Sequence, residues 1–406
     1  MKISHHNESI GAKFRTSLGF LILRLVLGAV LVAQSALAAD QPKSALTLPS
    51  PNLSFRNEIQ HAIDQGLRAL LASQNSNGWW STPDHPSVTA LALTAYAGDP
   101  AGRQRPDERA AINKGYAFIL GCAKPDGSIY QRELINYNTS ISMMALLAAR
   151  KPEYEPVLRR ARAYLVGSQL DLDEPGKPDS PFDGGVGYGS KYQHSDMNNT
   201  LCALEALYYS KHLVADRPAE KDLNWAAAIH FLQNCQNLPG HNQSGFATDD
   251  PRHRGGFYYY PGNSMAGSET NAATGRVALR SYGSVSYAGL LSYIYANLQR
   301  DDSRVVAVLD WLRQNYTLAE NPGMGPQGLY YYLHLMTKAL TIYGADTLEL
   351  KDGRKIDWRR EVAMRLMALQ KPDGSFVNEN PRWWEKDASL VTAYSVIALE
   401  QIYRGL

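Results

Sequence analysis

Six times along this chain a helix-like segment runs into a glycine-bearing turn, and a second segment rich in Ala and Leu follows. The first copy reads Gly66 to Gln74, Asn77-Gly78-Trp79-Trp80, then Val88 to Tyr96. The second turns at Lys124-Pro125-Asp126-Gly127-Ser128-Ile129 and the third at Gly184-Gly185-Val186-Gly187. The fourth turns at Gly255-Gly256-Phe257, the fifth through Gly323-Met324-Gly325, and the sixth at Lys371-Pro372-Asp373-Gly374-Ser375-Phe376. Such a unit cannot bury its apolar face alone, so the chain must fold by packing copies side by side. The turns stop the first helix because Pro disfavours continuation and Gly accepts a left-handed backbone. The Ala/Leu/Ile spacing of three to four makes the flanking segments helices rather than strands.

A hydroxyl near the start of each second helix sets the register: Thr89, Ser142, Thr200, Ser286 and Thr392. Successive anchors lie 53, 58, 86 and 106 residues apart. The last interval is twice 53 and holds the fifth copy, and the 86 reflects a loop insertion around 237–281.

Residues 1–38 stand outside this pattern. Lys2, Lys13 and Arg15 precede an apolar run from Leu18 to Val32, broken by Arg24, and Ala36-Leu37-Ala38 supplies a small-x-small cleavage pattern. The layout is that of a secretory signal peptide, so the mature chain is expected to be exported. No later segment approaches the ~18 apolar residues needed for a membrane span. Residues 39–54 read as a linker and 55–406 as one domain. Lys and Arg total 41 against 39 Asp and Glu, a balance that excludes electrostatic nucleic-acid binding. Three cysteines make no disulfide framework or zinc spacing, and Cys122, Cys202 and Cys235 read as buried thiols in helices.

The spacings Gln74-(x)3-Gly78-Trp79 and Gln370-(x)3-Gly374-Ser375-Phe376 resemble the Gln-Trp motifs of squalene and oxidosqualene cyclases. The same repeat occurs in protein prenyltransferase β subunits. The resemblance covers about residues 55–404 and implies an all-α fold, an α/α toroid (α6/α6 barrel) of six helix pairs. In such a ring the second helix of each pair lies inside, and Ile397 to Tyr403 closes against Ile59 to Leu71. The inner helices then point their N-termini, with free N–H groups and partial positive charge, into one cup.

The residues just before the hydroxyl anchors are therefore the expected lining of that cup. Asp84, Asp196 and Asp387 are the candidate catalytic carboxylates. His85, Tyr137, Asn138, Asn198, Asn199, Arg280, Tyr282, Tyr330, Tyr331, His334 and Lys386 are candidate ligand-binding residues. The competing reading of each is an N-cap or an interhelical hydrogen bond, for which Asp, Asn and Ser are the usual choices. The Arg382-Trp383-Trp384-Glu385 string before the last helix has the same ambiguity.

The resemblance also implies chemistry that can be checked residue by residue. Protonating cyclases carry Asp-x-Asp-Asp-Thr-Ala, whose central acid donates the proton. The matching stretch is Asp196-Met197-Asn198-Asn199-Thr200-Leu201, with Asn198 at the acid position. An amide cannot be that Brønsted acid. Prenyltransferases bind zinc through Asp-x-Cys and a later His. The corresponding positions are Tyr282-Gly283-Ser284 and Leu390-Val391, so no metal site and no cofactor are expected.

Three readings follow. The first is a cyclase- or prenyltransferase-like protein that takes an isoprenoid or other apolar ligand by an altered mechanism, with its 24 tyrosines supplying π-faces. The second is a non-catalytic exported binding protein for a lipid, glycan or peptide. The third is a carbohydrate-active barrel, which needs paired carboxylates. In each the partner is a small molecule or polymer held in the cup.

Overall fold

The computed structural model describes residues 52–406, apart from 103, 190–193, 218 and 271–274. The expected leader at 1–38 and nearly all of the expected linker at 39–54 lie outside the described residues.

Helices alternate between two layers. The first of each pair are α1 (Leu53–Ser73), α3 (Pro106–Gly121), α5 (Glu155–Gly167), α7 (Trp225–Asn234), α9 (Ser303–Gln314) and α11 (Trp358–Leu369). The second are α2 (Pro86–Gly98), α4 (Ile135–Ala148), α6 (Met197–Tyr209), α8 (Gly283–Tyr295), α10 (Leu329–Tyr343) and α12 (Ala388–Arg404). The second helices pack in sequence, α2 on α4, α4 on α6, and so on to α12, which packs back on α2. This is a closed inner ring. The first helices lie outside it, with α12 also packed on α1 as the closing contact. The architecture is the expected α/α toroid.

Composition explains the layering. The outer helices are amphipathic: α5 buries Leu158, Ala161, Arg162 and Leu165 at the i, i+3, i+4, i+7 spacing of one face. The inner helices touch protein nearly all round, and α8 buries every residue from Gly283 to Tyr293. Short Ala, Ser and Gly side chains let inner and outer helices approach: a Cβ on Gly66 of α1 would sit 2.4 Å from Val396 of α12. Cys122, Cys202 and Cys235 are buried. The insertion between α7 and α8 carries a small antiparallel hairpin, Ser268–Thr270 against Val277–Leu279, and a second pairs Leu348–Glu349 with Lys355–Ile356. No helix among the described residues is long and apolar enough to cross a membrane.

Five turns make one set of bonds. The residue two after the turn glycine donates its N–H to a hydroxyl in the next inner helix: Trp80 to Thr89, Val186 to Thr200, Phe257 to Ser286 and Phe376 to Thr392. In the second copy the acceptor is Thr139, bonded by Ile129 at 2.9 Å, and not Ser142, whose hydroxyl is buried without a partner. Helix α4 begins at Ile135, so Thr139 occupies its first turns and Ser142 falls a turn too deep.

The glutamine ending the outer helix ties each turn to the next outer helix. Gln169 Nε2 donates to Gly184 O and to Asn224 O, both at 2.9 Å. Gln236 does the same to Gly255 and Arg304, and Gln370 to Gly374 and Ala62. The Gln370–Ala62 bond closes the ring across 308 residues of chain. Each glutamine thus joins its own turn to a carbonyl near the start or middle of the following outer helix.

Candidate functional site

First-turn residues of all six inner helices meet around one cavity of ≈ 280 Å³. Ser87 and Val88 come from α2, Tyr137 from α4, Asn198 and Asn199 from α6, Ser284 from α8, Tyr331 from α10 and Leu390 from α12. The loops before them add His85, Leu134, Tyr188, Tyr282, Trp383 and Trp384, and Tyr394 comes from the second turn of α12. The cup is thus aromatic walled with amides at one side.

Its rim is built by a strained loop. Trp383 and Trp384 both have left-handed backbones (φ 55° and 66°) and are 39% and 47% exposed. The next residue, Glu385, explains how this loop is held. Its carboxylate accepts from the Tyr331 N–H at 2.7 Å, at the N-terminus of α10, and from Asn378 at 2.6 Å. An anion there is favoured by the helix dipole. Burial, the larger influence, raises the Glu385 pKa nonetheless. His85 packs edge-on against Trp384 at 4.8 Å. Burial lowers its pKa despite the nearby Asp84 charge, so the imidazole is neutral at physiological pH.

The floor is a layer of three tyrosines. The Tyr137 and Tyr394 hydroxyls lie 3.3 Å apart, and the Tyr331 and Tyr394 rings are 5.6 Å apart. The Tyr331 hydroxyl donates to Asn198 Oδ1 at 3.4 Å. Burial pushes all three phenols far above their ordinary range, so they stay protonated.

The sequence-selected residues divide by place. His85, Tyr137, Asn198, Asn199, Tyr282 and Tyr331 share the cup. Asn138 is fully buried and structural, accepting from Ser87 N and donating to Glu133 O. Tyr330 bonds Val377 O and packs on Phe376. Arg280 pairs with Glu269 in the hairpin, and Lys386 is exposed. His334 lies below the tyrosine floor.

The three aspartates do not converge in the cup. Asp84 pairs with Arg132 at the surface. Asp387 caps α12 through Leu390 N and receives the Ser81 hydroxyl. Asp196 caps α6: it accepts from Asn199 N at 3.0 Å and from Asn199 Nδ2 at 2.7 Å, and it is fully buried. Asp196 and Asp387 each satisfy a helix N-terminus beside the cavity, the competing N-cap role, whereas Asp84 caps no helix. Tyr188, Tyr394, Ser87, Val88, Leu134, Ser284 and Leu390 line the cup without being candidates from the sequence, and the Trp383-Trp384 pair, ambiguous there, faces it. Tyr394 was within reach of pattern reading, because it follows Leu390 by one helical turn on the same face.

Asp196 gives a pH prediction. Desolvation outweighs its hydrogen bonds and raises its pKa from 3.8 to about 6. The folded state therefore holds this proton more tightly than the unfolded chain. Its effect is neutral below the unfolded pKa and becomes a growing penalty from about pH 4 to 6, reaching about 3 kcal/mol at neutral pH. Asp196→Asn keeps an Oδ1 for the Asn199 N–H, and the unpartnered Asn199 Oδ1 can turn to accept the new amide. The variant is expected to be more stable than the parent at pH 7 and to lose that advantage by pH 4. Urea titrations across this range decide it: a parent–variant difference that does not change with pH rules out the raised pKa.

No protein-family model matches the chain, and no curated protein matches it. Solved structures do. A variant of the type II terpene cyclase MstE from Scytonema, in complex with its substrate geranylgeranyl dihydroxybenzoate, is 14% identical, with 86% of this chain and 99% of that one covered and a TM-score of 0.51. A possible member of the GH105 family from Salmonella enterica serovar Paratyphi A is 12% identical over 90% and 99% of the two chains, TM-score 0.53. An inactive variant of an α-1,6-mannanase of Salegentibacter, in complex with α-1,6-mannotriose, is 12% identical over 84% and 99%, TM-score 0.54. At these identities the likeness shows the fold alone. It agrees with the superfamily-level resemblance carried by the Gln-Gly turns.

Proposed function

We propose that the chain is an exported ligand-binding toroid. It is read as a 38-residue leader, a linker at 39–54 and a barrel from 55 whose cup takes an isoprenoid or other apolar ligand and does not protonate it. The observation that carries this reading is the lining itself. Seven tyrosine and tryptophan side chains face the cup, no carboxylate lines it among the described residues, and the sequence resemblance puts Asn198 at the acid position of a protonating cyclase. Such walls bind through apolar contact and π-faces, while the amides and His85 fix orientation. Glycosidic hydrolysis needs two carboxyl groups across the ligand, and Asp84, Asp196 and Asp387 are held elsewhere.

One observation favours a second reading. Two adjacent, half-exposed tryptophans on a strained rim also suit the faces of a sugar, and one structural neighbour holds a mannotriose. Calorimetric titration separates the two. Farnesol is expected to bind saturably, and Tyr282→Ala and Trp384→Ala each to weaken it about tenfold or more, as for a central aromatic contact. Binding of α-1,6-mannotriose with none of farnesol would replace the first reading by the second. Turnover of farnesol would overturn the non-protonating role.

A further inference from the structure

The tyrosine floor has a second side. Below Tyr137, Tyr331 and Tyr394 lies another cavity of ≈ 340 Å³, opening toward the C-terminal ends of the inner helices. It follows from helical spacing. The stripe that begins at Leu390 and Tyr394 continues as Ile397, Gln401 and Arg404, and α6 and α10 run the same way down to Tyr209 and Ile342. Leu91, Ile141, Met144, Leu201 and Leu335 give the wall an aliphatic side, and tyrosines and polar side chains, Arg404 among them, make up the rest.

Into this wall the fold sets one ion pair. Lys338 of α10 donates to both Glu205 oxygens on α6, at 2.8 and 3.0 Å, with side chains 16% and 7% exposed. A desolvated pair in an apolar wall is costly and is no aid to stability over matched hydrophobic residues. It does offer both kinds of hydrogen bond. Lys338 has three N–H groups and the carboxylate takes two, while Glu205 keeps free lone pairs. Nearer the mouth, Thr341 Oγ1 and Gln401 Oε1 have no hydrogen-bond partner among the described residues, and neither has His334 Nδ1 beside the tyrosines.

We propose that this chamber is a second ligand site, for an apolar chain ending in a neutral hydroxyl, with the Glu205–Lys338 pair as its polar anchor. A hydroxyl both donates to the carboxylate and accepts from the ammonium. A carboxylate head meets Glu205 as a like charge, and an amine meets Lys338. The apolar walls then cover the chain. The proposal stands apart from the reading of the cup, since the two cavities share only the tyrosine layer.

Titration of the full mature protein with 1-decanol, decanoate and decylamine tests it. The parent is expected to bind 1-decanol saturably and about tenfold more tightly than either charged chain. Ile141→Trp fills the chamber and should abolish decanol binding while farnesol titration of the cup is unchanged. The double variant Glu205→Leu/Lys338→Met replaces the pair with apolar groups and should fold. In it the tenfold preference for the alcohol should vanish while chain binding persists. No decanol binding by the folded parent overturns the proposal, as does a preference that survives the double variant. Decanol lost on Tyr282→Ala and kept on Ile141→Trp places it in the cup and overturns it equally.

Discussion

Gly184→Ala is expected to lower the unfolding free energy by about 4 kcal/mol or more, whereas Gly176→Ala, in the preceding loop, should cost about 1 kcal/mol. Both glycines have left-handed backbones, φ +86° and +82°. They differ in what a methyl group would meet. At Gly176 nothing lies within 4 Å, so only the backbone preference is lost. At Gly184 the new Cβ would sit 1.9 Å from Ala227 O and 2.1 Å from its carbonyl carbon, on the backbone of outer helix α7. A backbone cannot swing aside as a flexible side chain can. The helix must back away, and the Gln169 bonds to Gly184 O and Asn224 O are pulled apart with it. Urea denaturation of the two variants beside the parent measures the contrast. Equal losses would show that φ alone matters and that the close approach of turn to helix is unimportant.

The same close approach explains why the ring was legible before the structure. Gly78, Gly127, Gly255 and Gly374 each press on the backbone of the next outer helix, at Lys114, Arg160, Ala307 and Gln65. A turn that needs glycine for two reasons leaves a strong mark in sequence, and five such marks define the toroid. The fifth copy, read through Gly323-Met324-Gly325, is joined differently: Asn321 bonds Ser284 N, Ser284 Oγ and Gln327 O. The cup was half legible. Residues ahead of each inner helix were identified by position, but position does not say which way a polar side chain turns. Asp387 and Asp196 turn back to cap their own helices, Asn138 ties α4 to the Ser87 N–H, Tyr330 turns to Val377 O, and of the candidates His85, Tyr137, Tyr282, Tyr331 and the α6 amides face the cavity. The lower chamber was not legible at all. Glu205 and Lys338 are 133 residues apart, and each read alone is an ordinary charge on a helix. Only the closed ring turns them toward each other.

That pairing carries the second large effect. Lys338→Met should cost about 3–5 kcal/mol, because it leaves Glu205 as a buried carboxylate without its one ion-pair partner among the described residues. Methionine fills the lysine stem's space, so the loss measures charge and not a cavity. Adding Glu205→Leu should return stability to within about 1 kcal/mol of the parent, since two apolar side chains need no desolvation of ions. The sign of the coupling is the informative quantity: the two substitutions together should cost far less than their separate costs combined. Chemical denaturation of the four proteins measures it. If Lys338→Met costs under 1 kcal/mol, water reaches Glu205 freely and the chamber is not the dry, apolar space its walls describe. If the double variant is as damaged as the single one, the pair has a packing role that Leu and Met cannot fill. A strong single loss with near-complete recovery leaves the ion pair without a reason in stability. That result is the one expected if the pair serves the ligand site proposed for the chamber.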